Sequence, residues 1–102
     1  MIKKHSFILS GCIILLVTIL PGCINYNGEK LFQKEGCNVC HSFNSKGGRM
    51  GPDLTAISNI RSDEWINNYI QSPRKINPRS RMPAFPHLSS SKRKAIIDFL
   101  NE

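Results

Sequence analysis

Three residues are spaced to do chemistry together: Cys37, Cys40 and His41, within the stretch "EGCNVCHSF" from Glu35 to Phe43. Two thiols three positions apart, with an imidazole beside the second, can form a disulfide, supply half of a zinc site, or attach a haem. A disulfide here closes a tiny loop, restricts the unfolded chain little and leaves His41 without a role. A redox-active CxxC is expected beside a βαβ pattern, and no stretch of the sequence shows sustained strand alternation. A structural zinc site needs four ligands, yet neither a second CxxC nor a spaced histidine pair follows. C-x-x-C-H is the attachment signature of a c-type haem. Two thiols add across the two vinyl groups, and the spacer, Asn38 and Val39, allows both links on one turn of chain. The adjacent histidine can then bind the iron from the tethered face.

The rest of the chain must position this group. "GEKLFQKEG" reads as a short helix carrying Leu31 and Phe32, capped by Asn27 and closed by Gly36. "SFNSKGGRMGPDL" holds three glycines and a proline and reads as a loop. "LTAISNI" sets Leu54, Ile57 and Ile60 on one side of a helical turn. In "SDEWINNYIQS", Ser62 is the cap, Asp63 and Glu64 suit the positive end of the dipole, and Trp65, Ile66, Tyr69 and Ile70 form the apolar face. "PRKINPRSRMPAFPH" carries four prolines, which excludes regular structure. "SSSKRKAIIDFLNE" is a final helix with Ile96, Phe99 and Leu100 inward. The expected class is all-α, with three main helices and two long loops. Long loops in a small domain are functional when they surround something, and a chain this small needs a staple or cofactor.

From these motifs in their order, the sequence resembles the class I c-type cytochromes over nearly all of residues 26 to 102. Gly28 and Phe32 stand ahead of "CNVCH", where that family packs a small residue and an aromatic against the last helix. "GPDL", Gly51 to Leu54, matches its Gly-Pro-x-Leu, and "MP", Met82 and Pro83, stands where it has the second axial ligand. Phe99 in "AIIDFL" stands at the packing aromatic. The resemblance implies a class I cytochrome c-like fold around one covalent haem c. In it His41 is the proximal iron ligand through Nε2, and the Pro52 carbonyl accepts from its other ring nitrogen. Met82 is the sixth ligand, a His/Met pair of the kind that raises potential. Met50 lies nine residues after His41, in the loop that stays on the histidine side, whereas Met82 lies 41 residues on. His87 suits a surface or capping role. Trp65 either packs the core beside the haem or reaches a propionate.

The amino terminus reads as an export signal over residues 1 to 22: Lys3 and Lys4, an apolar run from Phe7 to Leu20, then Pro21 and Gly22 before Cys23. "LPGC" resembles a bacterial lipobox, which makes Cys23 the acylation candidate. An uncleaved anchor and an ordinary signal cut are the alternatives. Cys12 lies inside the apolar run and is incidental. Residues 23 to 27 form a tether and residues 28 to 102 the cytochrome c domain.

From Cys23 onward 12 basic residues oppose 7 acidic ones. That charge favours acidic partners or anionic lipid, and Lys92, Arg93 and Lys94 are a candidate docking patch. Nothing in the pattern points to nucleic acid, a small-molecule substrate or a catalytic acid or base. The expected function is a single-electron carrier, tethered to the outer face of a bacterial membrane and facing the periplasm or cell exterior. The alternative is a fixed cytochrome c subunit of a respiratory complex such as a nitric oxide reductase or haem–copper oxidase.

Overall fold

The computed structural model describes residues 24–102. The export signal, Cys12 and the acylation candidate Cys23 lie outside the described residues. Among the described residues no helix is long and apolar enough to cross a membrane.

The fold is broadly helical. Five α-helices, α1 (Gly28–Lys34), α2 (Cys37–Cys40), α3 (Asp63–Gln71), α4 (Pro73–Ile76) and α5 (Ser90–Leu100), are joined by a hairpin of β1 (Ser42–Phe43) and β2 (Lys46–Gly47) and a 3₁₀ turn at Ile57–Asn59. The helix starts follow side-chain capping: Asn27 accepts from Lys30 N–H, Ser62 from Trp65 N–H and Ser89 from Lys92 N–H. Each cap satisfies one N–H that the first turn leaves without a partner. Gly36, at φ 78°, ends α1 in the left-handed conformation and turns the chain straight into α2.

Two expectations are corrected here. The stretch after His41 is not all loop, because Ser42 pairs with Gly47 and Phe43 with Lys46 in antiparallel register. Asn44 and Ser45, at φ 50° and 68°, make the tight turn, a conformation Asn tolerates better than most residues. The proline-rich stretch also contains one helical turn, α4, with Pro73 at its first position, where the missing N–H costs nothing.

The core lies between α1, α3 and α5. Leu31 and Phe32 of α1, Ile66 and Ile70 of α3, and Ile96, Ile97 and Leu100 of α5 are buried, joined by Phe43 and Leu88. Phe32 packs on Phe99 with ring centroids 5.6 Å apart, and Phe43 on Phe99 at 4.8 Å. Burying each such ring contributes roughly 2–3 kcal/mol.

Three surface expectations change. Ile60 is exposed while Leu54 and Ile57 pack against the core, so the three do not share one environment. Trp65 packs at the edge of the core, half-buried, whereas Tyr69 is half-buried outside the core cluster and stacks on Trp65 with centroids 4.7 Å apart. Arg93 is not part of a charged patch. It is buried, donating through Nε to Asn67 Oδ1 at 2.7 Å and through Nη1 to the Leu88 carbonyl. Lys94 pairs with Asp98 and Lys92 lies over the Tyr26 ring, so the three cations serve separate local contacts.

Candidate haem site

α2 is a single turn, and it brings Cys37 and Cys40 to the same stretch of surface with both thiols free. His41 follows in an extended conformation, its N–H donating to the Cys37 carbonyl at 2.9 Å. Burial pushes the Cys37 thiol up to about 11, with the Glu35 carboxylate acting in the same direction. Reactive cysteines of redox CxxC motifs are shifted the opposite way. A thiol raised in this way is not poised for disulfide exchange. No group of metal-binding side chains of the zinc type occurs among the described residues.

His41 is buried, and its Nδ1–H donates to the Pro52 carbonyl at 2.7 Å. That bond fixes the tautomer, so Nε2 carries the lone pair. The segment supplying the carbonyl is itself fastened. Gly51 N–H donates to Cys40 O at 2.7 Å and Leu54 N–H to Ser42 O at 2.9 Å. Asp53 Oδ1 accepts from both the hydroxyl and the N–H of Thr55, and Thr55 Oγ1 accepts from Asn44 N–H. These Thr55 donors hold the Asp53 carboxyl below its usual range. Its contribution is thus present above the ordinary carboxylate pKa and fades as pH falls through the lowered one.

Gly51 lies flat against the imidazole. A Cβ there would sit 2.6 Å from His41 Cε1 and 2.8 Å from Nδ1. Only glycine lets the backbone pass that close, and the contact limits the ring's tilt. The residues therefore fit a haem: two thiols on one turn, an oriented imidazole with a free nitrogen, and half-buried apolar walls. Leu54, Ile57, Trp65, Met82 and Phe85 are half-buried and pack against the core.

Of the candidate sulfurs, Met50 is 87% exposed and Met82 is half-buried against the core. His87 lies on the surface, paired with Glu35 at 2.9 Å, in agreement with a surface role. Trp65 stands under the Arg61 guanidinium, which is 4.3 Å from its ring centroid.

Sequence reasoning missed Ser80. It is buried, and its Oγ accepts from Tyr69 O–H at 2.9 Å and Met82 N–H at 3.2 Å. A serine two residues ahead of a turn N–H is the signal that could have found it.

The family described as "Cytochrome C oxidase, mono-heme subunit/FixO" matches residues 43–98, more than half of the chain. The match starts after His41, so the CxxCH motif and the family match are separate observations. The chain is also similar to a cytochrome c oxidase subunit 2 of Alkalihalophilus pseudofirmus, 26% identical over an 81-residue alignment covering 72% of this chain. It spans only 24% of that relative's length. With thiols, oriented imidazole and family match agreeing, this chain belongs to the mono-haem cytochrome c oxidase subunit (FixO) family, as a haem-containing protein of the cytochrome c type.

Proposed function

We propose that the chain passes single electrons through one covalently held haem as a cytochrome c subunit of a respiratory complex, with the class I cytochrome c fold. The observation that carries this is the His41–Pro52 hydrogen bond, which leaves Nε2 free, with Gly51 packed on the ring. Bound haem supplies a one-electron iron couple. Cys37 and Cys40 would tether it, His41 and Met82 would hold its two axial positions, and Trp65 would pack beside it. The buried phenylalanines and half-buried walls would keep water off the apolar face. With both positions filled by rigidly mounted side chains, little would move on electron transfer.

The family match and the oxidase-subunit relative support a subunit over a free carrier. A tether through acylated Cys23 or an uncleaved amino-terminal anchor would keep the domain at the outer face of the membrane. The test is purification of the native protein from its source membrane, with absorption spectrum, intact mass and identification of what copurifies. The expected result is a c-type spectrum, a chain mass increased by one haem after denaturation, and the other subunits of a respiratory complex. A spectrum without c-type haem overturns the reading. Isolation as a lone lipoprotein replaces the subunit by the tethered carrier, and a mass retaining residues 1 to 22 replaces acylation by an anchor.

The proposed partner is a protein with acidic groups at its docking surface. Arg74, Lys75, Arg79 and Arg81 are exposed around the Met82 loop, and no residue from 65 to 97 is acidic. Among the described residues none of these four is in an ion pair. A cleft of about 490 Å³ beside Met82 is lined by Arg74, Lys75, Arg81 and Pro83. Reversing Arg79 and Lys75 to glutamate should slow electron transfer with the complex about tenfold at low salt, with the difference shrinking as ionic strength rises. Equal rates at low salt would place docking elsewhere.

A further inference from the structure

We propose that Ser80 is a positioning residue for Met82, fastening the ligand loop to α3 so that the thioether stays seated. This rests on the reading of Met82 as an axial ligand. Ser80 is 7% exposed, between the exposed Arg79 and Arg81. A buried hydroxyl must find partners, and this one gathers them from both sides. Its Oγ accepts from Tyr69 O–H in α3 and from Met82 N–H two residues on. Its carbonyl accepts from Arg74 Nε at 3.2 Å, which ties the same point to α4.

Tyr69 is itself held. Its ring stacks on Trp65 with an interplanar angle of 20°, and the Arg61 guanidinium lies over that Trp65 ring. Beyond Met82 the loop is fastened again, by Phe85 N–H donating to Ile70 O at 3.0 Å. The sulfur-bearing residue thus sits between two attachments to one helix. The second attachment is backbone to backbone and indifferent to side-chain identity. The first depends on one serine hydroxyl.

A thioether is a neutral, weak ligand, so its retention depends on how completely the loop is ordered beforehand. An added ligand competes for the same position, and its apparent affinity scales with the fraction of molecules from which Met82 has left. Removing Ser80 Oγ deletes the Met82 N–H bond and strands the Tyr69 hydroxyl. The departed fraction should rise about tenfold.

The experiment is an imidazole titration of the oxidised, haem-loaded full chain, followed by its absorption spectrum, with thermal melting measured alongside. Ser80→Ala should bind imidazole about tenfold tighter than the native chain and Tyr69→Phe about threefold tighter. Met82→Ala sets the upper limit. Arg93→Met removes the bonds from α5 to Asn67 of α3 and to the Leu88 carbonyl, neither of which involves Ser80, Tyr69 or Met82; it should lower the melting temperature while leaving imidazole affinity native. If Ser80→Ala does not fold, Tyr69→Phe alone carries the comparison. Native affinity in Ser80→Ala and Tyr69→Phe, with tight binding in Met82→Ala, overturns the positioning role and leaves the ligand assignment standing. Native affinity in Met82→Ala overturns the ligand assignment, and the positioning role falls with it. An Arg93→Met protein as imidazole-sensitive as Ser80→Ala would reduce the effect to general loss of stability and also overturn it.

Discussion

Replacing Met82 by alanine should open the sixth position and lower the reduction potential by on the order of 0.1–0.3 V, a fraction of the about 0.8 V that axial ligands span. A thioether favours the reduced iron over the oxidised one, so losing it shifts the balance toward the oxidised state. The reduced Met82→Ala protein should also bind carbon monoxide at neutral pH, which the native protein should not. The packing cost is small by comparison. Met82 is half-buried, and partial removal from the core boundary costs about 1–2 kcal/mol, less than a fully buried methionine. Met50→Ala is the control, since Met50 is 87% exposed. It should leave potential, carbon monoxide binding and melting temperature unchanged. Potentiometry on the two variants decides the matter. An unshifted potential in Met82→Ala would remove that residue from the iron.

Some of this site could be read from residue types and order because the governing interactions are local. Asn27 and Ser62 announce their helices, since a capping side chain needs only the next turn. Gly51 and Pro52 were placed beside His41 by the resemblance, and the structure puts the Pro52 carbonyl 2.7 Å from Nδ1. Phe32 and Phe99 meet as that resemblance implies.

What escaped notice depends on partners far along the chain. Arg93 reads as one of three surface cations, but Asn67, 26 positions earlier, and the Leu88 carbonyl together satisfy a buried guanidinium. Ser80 is an unremarked polar residue until Tyr69 is found 11 positions before it. Phe43 follows a histidine in a glycine-rich stretch, and its burial depends on the hairpin turning it toward Phe99. The hairpin itself is too short for period-two alternation to register: its two-residue strands are set by positive φ at Asn44 and Ser45. Pro73 stops α3, but proline also opens a helix, and α4 starts there. Cap-to-turn contacts therefore announce themselves in sequence, while contacts that close across the fold need the fold.

Gly28→Val should be strongly destabilising, costing about 3 kcal/mol or more. At α1's first residue the backbone crosses α5 so closely that a Cβ would lie 2.7 Å from the Ala95 carbonyl carbon and 2.8 Å from Phe99 Cβ. The obstacle is backbone, so no rotamer change relieves it, and α1 must move away from α5. That movement withdraws Leu31 and Phe32 from Ile96 and Phe99, and it shifts the segment that leads into Cys37. A domain this size has a stability of roughly 0.05–0.15 kcal/mol per residue, so the loss takes a large share of the total. The melting temperature should fall by about 12–24 °C, at about 4–8 °C per kcal/mol. Gly36→Asn separates space from conformation. Gly36 is at φ 78°, but a Cβ there would meet only Val39 Cγ2 at 3.9 Å. Asparagine tolerates that region, so the cost should stay near 1 kcal/mol or below. Thermal unfolding of both variants in the haem-loaded state measures the contrast. If Gly28→Val melts within a few degrees of Gly36→Asn, α1 and α5 do not cross at this glycine, and the small-residue and aromatic packing of the two helices is wrong.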